Sequence, residues 1–135
     1  MSRVLLDTSA YSAFMRGHRG VKESLQRAGE IYLSATIVGE LLAGFMRAGH
    51  RRKNEQELEA FLSSPRAQVS DVDRETARRY AVVLDGLRTA GTPIPTNDIW
   101  IAASAMQHGL RLVTTDAHYS HVKQVIVDYF DPRVD

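Results

Sequence analysis

Apolar positions along this chain alternate between short continuous runs and longer stretches at helical spacing. The runs at 3–6, 30–34, 68–72, 110–113 and 124–130 predict strands. Between them, helical periodicity predicts helices over 10–15, 21–28, 36–48, 55–62 and 74–90, and another from Thr96 or Asn97 to Gly109. Expected core faces are Ile37, Leu41, Leu42, Phe45 and Met46 on the third helix; Ala77, Tyr80, Ala81, Leu84 and Leu87 on the fifth; and Ile99, Ala102, Ala103 and Met106 on the sixth. Thr8 or Ser9, Asp73, and Thr96 or Asn97 are N-cap types, while Gly29 and Gly109 are expected stops. Residues 50–53 read as a basic turn and 131–135 as a polar tail. A brief turn or helix is expected over 118–122.

Strands alternating with helices define an α/β sandwich with a mostly parallel central sheet, and 135 residues are expected to form a single domain. In such a sheet, strand C-termini and the N-termini of the helices that follow share one edge, where ligands bind. Four acids fall there. Asp7 and Asp116 end strands, Asp98 lies in the first turn of a helix, and Glu40 lies about one turn into another.

Composition narrows the chemistry. The chain has no cysteine, which excludes disulfides, thiolate metal ligands and cysteine nucleophiles. A net charge of +1 excludes a grossly basic nucleic-acid binder, although most of the 17 cationic side chains are arginine, which suits phosphate contacts. No run is long enough to span a bilayer, and the opening MSRVLLD lacks signal-peptide architecture, so a cytoplasmic protein without membrane contact is expected.

Each acid alone has a plain structural reading. Asp98 complements a helix dipole, and Asp7 and Asp116 close strands and open turns. Together, four converging carboxylates repel one another unless a cation neutralises them. An all-oxygen donor set fits a hard divalent ion, Mg²⁺ or Mn²⁺. That ion could activate water against a phosphodiester. The hydroxyls of Thr8 and Thr114 could orient a carboxylate or water. The same pocket could instead dock a basic peptide without catalysis. A third reading, aspartyl-phosphate chemistry at Asp7, ranks last, because no second Asp follows two residues on.

Three segments, VLLDTSAYSAF, LSATIVGELLAG and PTNDIWIAASAMQHGLRLVTTDAHYSHV, together resemble the PIN-domain family, most closely its VapC-type toxin ribonucleases. The resemblance spans nearly the whole chain. It implies a three-layer α/β/α sandwich and a metal-dependent endoribonuclease. Asp7, Glu40, Asp98 and Asp116 match the family's acidic metal positions, Thr114 its hydroxyl position, and Thr8 or Ser9 is expected to support the acids from behind. It also implies an RNA substrate, a homodimer and inhibition by a cognate VapB-type antitoxin that often inserts a basic side chain among the acids. His118 and His121, near Asp116, could contact phosphate or donate a proton, but a structural or peripheral role is expected of them. Residues 50–53 are expected to be solvated loop charge rather than an RNA track. Trp100 and Phe45 are expected in the core or an interface.

Overall fold

A computed structural model describes residues 2–133. Its strands are β1 (Ser2–Leu6), β2 (Ala28–Ser34), β3 (Ala67–Ser70), β4 (Arg111–Thr114) and β5 (Val127–Tyr129). Its helices are α1 (Thr8–Met15), α2 (Arg19–Arg27), α3 (Ala35–Arg47), α4 (Arg51–Leu62), α5 (Arg74–Ala90) and α6 (Thr96–His108), with a 3₁₀ turn over Ala117–His121. All strand pairs are parallel, in the order β3-β2-β1-β4-β5. Helices cover the sheet, giving the expected α/β/α sandwich.

The two central strands explain their own composition. A parallel strand packed on both faces is apolar at successive positions rather than at alternate ones. Val4, Leu5 and Leu6 of β1 and Leu112 and Val113 of β4 are all buried. Each such side chain contributes about 1.5–3 kcal/mol by leaving water. β1 and β4 pair in the register Leu6↔Val113, so Asp7 and Thr114 follow side by side at the sheet's C-terminal edge. After β1 the chain winds outward to β2 and β3, then returns to place β4 on the other side of β1. The gap between β1 and β4 is therefore the topological switch point, where the flanking connections diverge and leave a crevice.

Several boundaries and faces differ from expectation. α1 is capped by Asp7, which accepts from the Ala10 N–H, so Thr8 and Ser9 lie inside the first turn and their hydroxyls are free for other partners. Gly29 does not stop α2; the chain passes straight into β2 at Ala28. Residues 51–53 are the first turn of α4, not a loop, and Arg51 donates to Glu55 one turn on, at 2.8 Å. Pro95 takes the N-cap position of α6, without a side-chain cap bond. Asp73 caps α5 in a reciprocal capping box with Thr76, as its residue type suggests. The α5 core face is rotated: Thr76, Val83 and Leu87 are buried, while Ala77 and Ala81 are exposed. The buried set still follows i, i+7, i+11 spacing, so alanine, which is neutral toward burial, misdirected the reading. On α3, Ile37 and Leu41 are buried and Phe45 partly so, but Leu42 is 37% and Met46 63% exposed. Trp100 is half-buried, stacked on Tyr80 with ring centroids 4.2 Å apart. Residues 134 and 135 of the expected tail lie outside the described residues.

Candidate active site

Asp7 is the buried anchor of the strand-end edge. Its Oδ1 accepts from the Ala10 N–H and the Ser9 hydroxyl, both at 2.8 Å, and its Oδ2 accepts from the Thr114 hydroxyl at 2.7 Å. Those hydroxyls are themselves held from β4: the Asp116 N–H donates to Thr114 Oγ1 at 2.9 Å, and the Thr115 N–H donates to Ser9 Oγ at 3.1 Å. Two relays thus run from the backbone after β4 through a hydroxyl to one carboxylate. They leave that carboxylate little rotational freedom. Burial pushes the Asp7 carboxyl up to about 6; its three donors oppose the shift and the charge of Asp116 adds to it.

Asp98, in the first turn of α6, and Asp116, just past β4, face each other across the crevice. Burial, and then the charge of Asp116, raise the Asp98 pKa. His118 stands between them. Its Nδ1 is 3.1 Å from Asp116 Oδ1 and 3.3 Å from Asp98 Oδ2, and its backbone N–H donates to Asp116 Oδ1 at 2.9 Å. The expectation of a peripheral histidine missed this contact, because the turn after Asp116 folds the ring back over the acids. His121 has no hydrogen bond to these carboxylates.

Glu40 joins the edge less directly. One of its oxygens accepts from the Thr8 hydroxyl and the other from the Asn97 side-chain amide at 3.1 Å. It therefore ties α3 to the starts of α1 and α6. Thr8 and Asn97, expected as caps, serve here as its partners. Its neighbours on α3 are apolar, which made a surface ion pair unnatural, and none is present.

The edge is electrostatically unbalanced. Among the described residues no lysine or arginine forms an ion pair with Asp7, Glu40, Asp98 or Asp116; the only cationic-capable partner is His118. Ligand atoms of Asp98, Asp116 and His118 lie within 4.8 Å of one another. The Tyr119 hydroxyl is buried beside them, close enough to Asp98 to interact with it but without a hydrogen bond of good geometry. Burial and the charges of Asp7, Asp98 and Asp116 hold the phenol protonated, so its O–H is a donor available to Asp98. A hard divalent cation fits these features: oxygen donors, uncompensated negative charge and a phenol donor without a well-formed partner that can orient the Asp98 carboxylate. Asp116 and His118 are 32% and 53% exposed, so the site is open to a long chain laid across it.

A PIN domain family model matches residues 4–125, and the chain belongs to the PIN domain family. Within that family, it is 34% identical over 122 residues to the VapC ribonuclease Y4jK of Sinorhizobium fredii, covering 84% of this chain and 86% of that protein. It is 30% identical over 95 residues to Ribonuclease VapC4 of Mycobacterium tuberculosis, covering 70% and 73%. Among solved structures, FitAcB from Neisseria gonorrhoeae superposes with a TM-score of 0.77 at 30% identity, covering 96% of this chain and 97% of that one. VapBC2 from Rickettsia felis, bound to a DNA fragment from its promoter, gives 0.82 at 22% identity, covering 95% and 98%, a likeness of fold.

Proposed function

We propose that this protein is a metal-dependent endoribonuclease, the toxin of a type II toxin–antitoxin pair, hydrolysing RNA phosphodiester bonds and held inactive by a VapB-type antitoxin. The observation that carries the reading is the clamped Asp7 at the β1/β4 crevice, close enough to feel the charge of Asp116, beside the cluster of Asp98, Asp116 and His118, which does not itself include Asp7 or Glu40, in a chain related over most of its length to VapC ribonucleases. Asp7, Asp98 and Asp116 are the residues that would hold the cation, Mg²⁺ or Mn²⁺, with Glu40 contributing from its tether to Thr8 and Asn97. A divalent cation there supplies Lewis acidity: it offsets charge on phosphoryl oxygens and makes a nearby water more acidic.

The chain's own residues do the rest. Thr114 and Ser9 fix Asp7, so the site does not reorganise as charge develops. Burial and the charge of Asp116 raise the Asp98 pKa in the metal-free protein, a repulsion that a bound cation would relieve. The open edge admits a polymer whose backbone continues on both sides.

The antitoxin has a seat on the helices that carry Glu40 and follow Asp7. Tyr11, Met15 and Phe45 line a groove of about 300 Å³ between α1, α3 and α4. Leu42 and Met46 lie exposed nearby on α3. An apolar antitoxin segment would cover that surface and bring a basic side chain to the acids. The active unit is a homodimer of one-domain chains in the cytoplasm; no described helix is long and apolar enough to cross a membrane. A non-catalytic socket for a basic peptide uses the same acids, but it leaves the doubly relayed clamp on Asp7 without a purpose.

Growth tests the proposal. Induced expression in a bacterial host should arrest growth; Asp98→Asn should relieve the arrest, and so should co-expression of the antitoxin. Arrest that persists with Asp98→Asn at equal protein levels would refute the site.

A further inference from the structure

We propose that His118 is itself a metal ligand, through Nδ1, giving this site a mixed oxygen–nitrogen donor set that favours Mn²⁺ over Mg²⁺. The proposal rests on the metal-site reading above and adds a ligand that the four acids do not supply.

Spacing is the first argument. Around an octahedral cation with bonds of about 2.1 Å, adjacent ligand atoms stand about 3 Å apart. His118 Nδ1 lies 3.1 Å from Asp116 Oδ1 and 3.3 Å from Asp98 Oδ2, near that spacing, and ligand atoms of the three residues all lie within 4.8 Å of one another.

Orientation is the second. The ring is held from its own backbone: the His118 N–H donates to Asp116 Oδ1, and residues 117–121 form a 3₁₀ turn capped by Asp116. Asp116 and His118 therefore move as one unit. Nδ1 faces the acids within hydrogen-bond distance of both, on a ring that is 53% exposed. A cation bound there would replace the proton shared with the acids, with Nε2 then carrying the ring proton.

Donor chemistry is the third. Mg²⁺ binds almost wholly through oxygen, whereas imidazole is a good ligand for first-row transition ions. A nitrogen on the site therefore discriminates against Mg²⁺.

The test uses the purified protein loaded with Mn²⁺ alone, with no RNA. Loss of the free Mn²⁺ resonance measures binding, and electron spin-echo modulation reads nitrogen coordination directly. The wild type should bind Mn²⁺ with ¹⁴N coupling from one imidazole. In His118→Ala the coupling should vanish and Mn²⁺ affinity fall by about tenfold or more. Mg²⁺ affinity, read by displacement of Mn²⁺, should fall less. His121→Ala should keep both the coupling and the affinity. Mn²⁺ bound without ¹⁴N coupling, or coupling that survives in His118→Ala, would overturn the histidine assignment while leaving the carboxylate site intact. Failure of the wild type to bind Mn²⁺ would overturn both.

Discussion

The Thr114 hydroxyl donates to Asp7 Oδ2 across 2.7 Å, joining residues 107 positions apart in sequence. The same oxygen accepts the Asp116 N–H. One hydroxyl thus connects the buried carboxylate at the end of β1 to the backbone of the acid after β4. Pairing of the two central strands creates the contact, and hydrogen bonding makes it specific.

Thr114→Val keeps the shape and removes that link. It leaves Asp7 Oδ2 and the Asp116 N–H without partners in a buried place, which should cost about 1–3 kcal/mol of stability. Divalent metal affinity should fall about 10- to 100-fold. Thr114→Ser should recover most of both. Denaturant titration and Mn²⁺ titration of the three proteins check this, and unchanged metal affinity in the valine variant would show that the hydroxyl does not position the acid.

Asp7 makes the metal-free fold sensitive to pH. Its folded pKa, about 6, lies above the ordinary 3.8, so between those values the folded state holds a proton that the unfolded state has released. Stability from this group therefore falls as pH rises from 3.8 to 6, and the full penalty, about 3 kcal/mol, remains above pH 6. In EDTA, the thermal midpoint of the wild type should rise on going from pH 7 to pH 5. Asp7→Asn should be more stable than the wild type at pH 7 and show a smaller rise. A wild type and variant with parallel pH profiles would contradict the raised pKa.

Saturating Mn²⁺ should reverse that penalty. A ligand at 100 times its Kd stabilises the folded state by about 2.7 kcal/mol, which in a chain this size raises the midpoint by several degrees. Asp98→Asn should lose most of the rise. A midpoint indifferent to Mn²⁺ would argue against a preformed site.

The exposed apolar side chains on α3 give a test of the antitoxin surface. Leu42→Glu and Met46→Glu together should weaken antitoxin binding by at least about 1.4 kcal/mol, or tenfold. RNA cleavage by the free toxin should be unchanged. Unaltered antitoxin affinity would move the docking site elsewhere.

Much of this arrangement could be read in the sequence, because parallel-sheet geometry turns chain position into location. Asp7 and Asp116 follow apolar runs, and Asp98 opens a helix, so one edge collects them. Thr114 was within reach for the same reason, as the last residue of β4 and two before Asp116. The T-x-D spacing points at Thr114, and the resemblance offers Thr8 or Ser9 as a support for the acids without saying which acid each would hold. The particular contacts were out of reach: Ser9 clamping Asp7 while Thr8 turns to Glu40, and His118 folded back between two acids. Leu42 and Met46 fit the helical periodicity of α3 as well as Ile37 and Leu41 do. Periodicity reports an apolar face without saying whether the core or a partner covers it. The start of α4 was hidden because Arg51, Arg52 and Lys53 read as loop charge, although the Arg51–Glu55 pair is a helical i, i+4 contact.

The most direct test of the central claim is cleavage of total cellular RNA by purified, antitoxin-free protein in Mn²⁺ or Mg²⁺, against EDTA and against Asp98→Asn. The account expects discrete fragments that require the metal and are absent with the variant. Fragments that persist in EDTA or with Asp98→Asn, or no cleavage of any RNA by metal-loaded wild type, would contradict it.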